Sequence, residues 1–190
     1  MKKTLALALA AALFLSVSSS AAPASPGTSA EAMIVLHAES GAVLAEKYAE
    51  TPMLIASTTK LMTALTALDL ASPERTVTVE REWTAVEGSS MYLRVGESYT
   101  LRELLEGLLL ASGNDAALAI AGSLGGSEFI DRMNRKAEEL GLTASHFENP
   151  HGLDAEGHRA SAHDLALIMA AALQNSVLAE ILSMRSSCIH

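Results

Sequence analysis

The 190-residue sequence predicts a mixed α/β (α+β) fold, with an N-terminal β-hairpin followed by a packed helical subdomain. Three observations carry this expectation. Two short β-prone runs flank a turn near the N-terminus, and several segments of helical periodicity follow. No later segment alternates apolar and polar residues well enough to add strands beside the hairpin. A lone two-stranded hairpin is marginal in water. The architecture therefore reads as incomplete, with C-terminal core strands missing.

Residues 1–24 read as a signal peptide. Lys2 and Lys3 form a positive n-region, Leu5 to Val17 is an apolar run, and small residues offer cleavage after Ala22 or Ala24. About a dozen apolar residues is short of the ~20 that a membrane span needs. No cysteine follows the run to carry a lipid, so membrane attachment is not encoded here. Export to the periplasm or cell envelope is the expectation. Residues 25–30 are a small-residue, flexible lead-in. Met33 to His37 and Val43 to Tyr48 form the hairpin around Glu39-Ser40-Gly41.

The spacing then predicts a helix over Ser57–Leu70, with Leu61, Leu65 and Leu68 on its apolar face. Thr76 to Glu80 alternates as a short strand. Thr100 and Glu103 form a capping box, opening a helix whose face is Leu101, Leu104, Leu105, Leu108 and Leu109. Asn114 caps a further helix running to about Leu124. Ser127 to Leu140 is the next, with Phe129, Ile130, Met133, Ala137 and Leu140 inward and Gly141 as its stop. Phe147 to Gly157 is a loop. Ser161 and Asp164 cap a last helix carrying Leu165, Ile168, Met169 and Leu173.

Bulk composition excludes several classes. Hydrophobic residues make up 49% and charged residues 18%, too apolar a balance for a disordered chain. The net charge is −9, and −11 once Lys2 and Lys3 leave with the signal. Such a chain gains nothing from counterion release on a phosphate backbone, so nucleic acid is excluded as a partner. Cys188 is the single cysteine, which excludes an internal disulfide and a multi-cysteine zinc site.

Three groups of residues can carry chemistry. In Ser57-Thr58-Thr59-Lys60 the lysine lies one helical turn beyond the serine, within reach of its hydroxyl. Desolvation lowers a lysine pKa and makes a neutral amine available as base. The plain alternative is a capping serine beside a solvated lysine. In Ser112-Gly113-Asn114 a second hydroxyl and a carboxamide are presented together; the alternative is a helix junction. His146, His151, His158 and His163 fall within 18 residues. Their spacing repeats no helical ligand pair, so loop hydrogen bonding is favoured over a metal site. The lone Trp83 reads as packing.

The serine-x-x-lysine and the serine-glycine-asparagine 52 residues beyond it resemble those of low-molecular-mass penicillin-binding proteins. More narrowly, the chain resembles the serine D-alanyl-D-alanine carboxypeptidases of peptidase family S11. Ala56 to Ala64 matches the family's nucleophile helix, and Leu108 through Ser112-Gly113-Asn114-Asp115-Ala116-Ala117 matches its second motif. Met133-Asn134, Leu140-Gly141-Leu142, Phe147 to Leu153 and Ser161 to Ala166 follow in the family's order. The likeness runs from Glu31 to Met184, so residues 31–184 form the N-terminal part of the domain and 185–190 a divergent tail. It implies a β-lactamase/transpeptidase-like fold.

The resemblance also implies roles. Ser57 is the acyl-ester nucleophile, Lys60 the general base, Ser112 the proton relay and Asn114 the substrate-positioning group. The substrate is a peptidoglycan stem ending in D-Ala-D-Ala, with β-lactams as inhibitors and no metal or organic cofactor. A class A β-lactamase is the same-fold rival, disfavoured by Gly113. A non-catalytic muropeptide-binding remnant and a metal-dependent hydrolase are the alternatives from other classes. The family's third motif, lysine-threonine/serine-glycine, begins at none of Lys2, Lys3, Lys47, Lys60 or Lys136, since none is followed by Thr-Gly or Ser-Gly. In the family it lies roughly a hundred residues beyond the second motif, so a truncated or frame-shifted product is expected.

Overall fold

The computed structural model describes residues 27–189. The signal-peptide expectation therefore lies outside the described residues, as do the first residues of the lead-in. Strand β1 (Met33–Leu36) pairs antiparallel with β2 (Val43–Lys47), Met33 opposite Lys47 and Val35 opposite Ala45. The turn closes through His37 N–H to Ala42 O at 2.9 Å. Lys47 Nζ reaches back to the carbonyls of Thr28 and Ala30 in the lead-in, at 3.2 and 2.7 Å.

A single 3₁₀ turn, Ala56–Thr58, leads into helix α1 (Thr59–Leu70). The expected apolar face of α1 packs on the core, with Leu61 and Leu68 partly buried against it, but the polar side is buried too. Of Leu61, Leu65 and Leu68, only Leu65 is fully buried, whereas Thr59, Lys60, Thr63 and Thr66 are all buried. The helix is central, touching four of the five later helices, so its polar side is enclosed as well.

Strand β3 (Thr76–Thr78) finds a partner that periodicity did not reveal, β4 (Ser98–Thr100). Three residues are too few to show alternation. This pair forms a second small sheet and does not extend the hairpin. The capping box is present: Glu103 N–H donates to Thr100 Oγ1, and Thr100 N–H to Glu103 Oε2. Helix α2 (Leu101–Leu110) buries Leu101, Leu104, Leu105 and Leu108 completely.

Helix α3 spans Asn114–Ser123, but Gly113 is its N-cap. Asn114 therefore does not cap the helix, because its carboxamide is engaged elsewhere. Helix α4 (Ser127–Glu139) buries Phe129, Met133 and Ala137 and stops at Gly141, whose φ of +73° a glycine adopts without strain. Before helix α5 (Ala162–Gln174) only half of the expected box forms. Ser161 Oγ accepts from Asp164 N–H, while Asp164 Oδ2 accepts from Ala144 N–H and Ser145 Oγ. An aspartate is one methylene short of the glutamate that normally reaches back. Of the apolar residues this helix carries, Ile168 is buried, whereas Met169 and Leu173 are exposed. Helix α6 (Ser176–Ser183) was not visible as a separate element; it turns through 103° and rests on α2.

Trp83, after β3, packs edge-on against α3 at Gly122. A Cβ there would lie 2.3 Å from the indole Nε1. In Gly122→Ala a helix-propensity gain of ~1 kcal/mol opposes overpacking of ~1–3 kcal/mol against a rigid ring. A net loss of about 1 kcal/mol should lower Tm by about 2–4 °C. An unchanged or higher Tm in calorimetry would show that the indole yields freely.

Candidate active site

Ala56 has φ of +44°, a strained value for a residue with a Cβ, and bends the chain immediately before Ser57. The turn leaves Ser57 exposed while Lys60, one turn along, is only 2% exposed. The Lys60 ammonium has three acceptors from three separate segments. Nζ lies 3.0 Å from Ser57 Oγ, 2.7 Å from Asn114 Oδ1 and 2.9 Å from His151 O. Desolvation lowers its pKa from 10.5 to about 8. In the neutral amine, two N–H bonds can point at Asn114 and His151, leaving the lone pair for the Ser57 O–H.

Asn114 is held at both ends, since Nδ2 donates to Glu87 O at 2.7 Å and its N–H donates to Ser89 O at 2.7 Å. Beside it, Asp115 accepts from the N–H groups of Met91 and Leu93 and from Ser90 Oγ. Residues 87–93 are thereby tied to the first turn of α3. Ser112 sits in the α2–α3 junction at φ +56°, again in the left-handed region. With Ser57 and Lys60 it lines a cleft of about 320 Å³ whose apolar wall is Leu61, Leu108, Leu109 and Leu182. Among the described residues its hydroxyl bonds neither Ser57 nor Lys60. The four sequence-predicted residues thus meet at one place, three in the cleft and Asn114 through Lys60.

The loop Phe147–Leu153 supplies what the motifs did not show. Asn134 brackets Phe147, accepting from its N–H at 2.9 Å and donating to its O at 2.8 Å. Asn149 Oδ1 accepts from Gly152 N–H at 2.7 Å, and Thr63 Oγ1 donates to Pro150 O at 2.7 Å. Gly152, at φ +91°, lies so close to the nucleophile turn that a Cβ would sit 1.9 Å from Ala56 O. A backbone carbonyl has no sequence signature, so the His151 contribution was invisible. Thr59, Thr63 and Thr66, spaced i, i+4 and i+7, were the available signal that a polar face of α1 is used.

The four histidines do not converge. His146 pairs with Glu148 at 3.0 Å and His163 with Glu50 at 3.2 Å. His158 Nε2 lies 2.7 Å from Thr59 Oγ1, and His151 Nδ1 accepts from Leu153 N–H. Among the described residues no three His, Cys, Asp or Glu side chains form a cluster able to hold a metal ion.

Burial lowers the pKa of His151 from 6.5 to about 4, with the Lys60 charge adding to it, and lowers that of His158. Both rings are neutral in the fold. Their stabilisation is complete above the unfolded value of 6.5 and is lost as pH falls through the folded values. Between pH 7.5 and 5 His151 alone should cost about 1–2 kcal/mol. His151→Asn, which retains an acceptor near Nδ1, should flatten that part of a Tm-against-pH curve. A slope equal to the parent's would remove His151 as its source.

Comparison with known proteins identifies the family. The D-alanyl-D-alanine carboxypeptidase family profile, Peptidase S11, matches residues 19–187. The chain is 42% identical over 159 residues to D-alanyl-D-alanine carboxypeptidase DacB2 of Mycobacterium tuberculosis, covering 82% of this chain and 55% of that one. It is 39% identical over 146 residues to DacF of Bacillus subtilis, covering 73% and 38%. The chain thus spans about half or less of the length of these curated relatives. Among solved structures, a D-alanyl-D-alanine carboxypeptidase of M. tuberculosis H37Rv superposes with a TM-score of 0.84 at 40% identity, covering 88% of this chain and 65% of that one. The Streptomyces K15 DD-transpeptidase gives 0.79 at 32%, covering 83% and 65%. A serine and a buried lysine on one helical turn, in this fold and with these relatives, place the chain in the D-alanyl-D-alanine carboxypeptidase family of peptidases, S11.

Proposed function

We propose that this chain carries the acylating machinery of a serine D-Ala-D-Ala carboxypeptidase acting on peptidoglycan stem peptides. The observation that supports it most is Lys60 Nζ, 3.0 Å from Ser57 Oγ, with its other two hydrogen-bond directions taken by Asn114 and His151. Ser57 Oγ attacks the carbonyl carbon of the penultimate D-alanine while its proton passes to the Lys60 amine. The C–N bond to the terminal D-alanine breaks, and the leaving nitrogen takes a proton relayed through Ser112. Water then hydrolyses the ester and regenerates Ser57. A β-lactam enters as a cyclic analogue of the dipeptide and leaves an ester on Ser57. Asn114 holds the substrate amide as well as Lys60. The signal-like residues 1–24 fit an exported protein, since this substrate lies outside the cytoplasm.

Release of D-alanine from an N-acylated tripeptide ending in D-Ala-D-Ala tests this reading; binding of that peptide without release would replace it with muropeptide binding alone.

Mass spectrometry after incubation with a fluorescent penicillin should place the adduct on Ser57, and Ser57→Ala should abolish it. Persistent labelling of that variant would remove Ser57 as nucleophile. Lys60→Ala should slow acylation by ~10²–10⁴-fold, the usual worth of a general base. The parent's rate should climb with pH and level off above about 8, as Lys60 sheds its proton. A flat profile would point to another base.

A further inference from the structure

The acylation chemistry uses Lys60 on α1 but leaves His158 without a part. That ring is 1% exposed and touches two segments at once. Nδ1 accepts from Glu148 N–H at 3.0 Å, so the ring proton of a neutral imidazole sits on Nε2. Nε2 then donates to Thr59 Oγ1 at 2.7 Å. Thr59 directly precedes Lys60 and follows Ser57 by two residues. Glu148 lies three residues before His151, whose carbonyl accepts from Lys60. The ring edge meets Phe147, with centroids 5.9 Å apart and planes at 79°. One side chain therefore bridges the nucleophile helix and the loop that closes over its lysine.

We propose that His158 is a positioning residue for acylation: wedged between Glu148 N–H and the Thr59 hydroxyl, it sets how deeply the Phe147–Gly152 loop seats over Lys60, and so the direction in which the Lys60 lone pair faces Ser57. This rests on the assignment of Ser57 as nucleophile and Lys60 as base. The loop has other anchors, Asn134 on Phe147 and Thr63 on Pro150. Besides the Lys60–His151 bond itself, His158 ties the loop to the first turn of α1 at Thr59, immediately beside the reacting groups. The ring must stay neutral for this role, since a second ring proton would confront the Glu148 N–H. The ionisable groups around it are Glu148, His146 and Asp154, all exposed on the loop side, and His151.

Three variants separate the two hydrogen bonds. Thr59→Val and His158→Asn each remove the bond to the helix, the latter keeping an acceptor near the Nδ1 position. His158→Gln retains a donor near Nε2. Two readouts are taken on the full chain: the Lys60 titration, by carbon NMR of isotope-labelled lysine, and the rate of fluorescent-penicillin acylation. In Thr59→Val and His158→Asn water should reach Lys60, moving its midpoint up from about 8 toward 10.5. Their acylation at neutral pH should fall about tenfold or more. His158→Gln keeps the bond to the helix but loses the acceptor for Glu148 N–H, so the bridge opens at its loop end and the midpoint and rate should shift in the same direction as in the other two variants. A Lys60 midpoint unchanged in Thr59→Val and His158→Asn, whatever their Tm, would overturn the proposal and leave His158 a packing residue. A parent chain whose Lys60 responds to these changes yet never acylates would uphold the clamp and sink the catalytic reading instead.

Discussion

The burial of Lys60 is the constraint on which the rest of the site depends. A pKa brought from 10.5 to about 8 corresponds to roughly 3 kcal/mol against the ammonium. That stability is available only above the unfolded value and is lost as pH falls through the folded one. At neutral pH the fold therefore carries a cost, offset by three charge-assisted hydrogen bonds. Their acceptors come from the 3₁₀ turn, the start of α3 and the 147–153 loop, so the lysine stays poised only if three segments far apart in the chain arrive together.

Each of those segments is held by polar side chains that do no chemistry. Asn134 and Asn149 shape the loop, Asp115 ties down residues 90–93, and Glu87 O fixes the far end of the Asn114 carboxamide. Left-handed backbone at Ala56 and Ser112 stands at the two points where a hydroxyl must be aimed into the cleft. Such conformations persist only where the surroundings over-determine them. Gly152, against Ala56 O, shows how closely the loop and the nucleophile turn are pressed together.

Size does not mark the site. A hollow of about 550 Å³ beside Trp83, lined by Glu80, Glu82 and Glu148, exceeds the Ser57 cleft of about 320 Å³. It contains no nucleophile paired with a base. The smaller cleft combines an exposed hydroxyl, a desolvated amine and an apolar wall, which is the combination that acyl transfer requires.

Local rules determined much of this protein from sequence alone. The hairpin, the Thr100–Glu103 capping box, the leucine face of α2 and the Gly141 stop each depend on neighbours within a few residues. Ser57 and Lys60 were legible for the same reason, because one helical turn joins them. Ser112 and Asn114 were recognised through a resemblance, not through spacing. What the tertiary structure decided is the set of long-range contacts. Asn114 gave up a cap for Lys60, the polar face of α1 turned inward, and the His151 carbonyl became the third acceptor. Helix α6 escaped notice because it is only eight residues long, although Asn175 caps it, and β4 because three residues show no period. Periodicity reports which residues share a face. It does not report what that face meets, and a backbone carbonyl, identical at every position, leaves no trace in the sequence until the chain has folded around it.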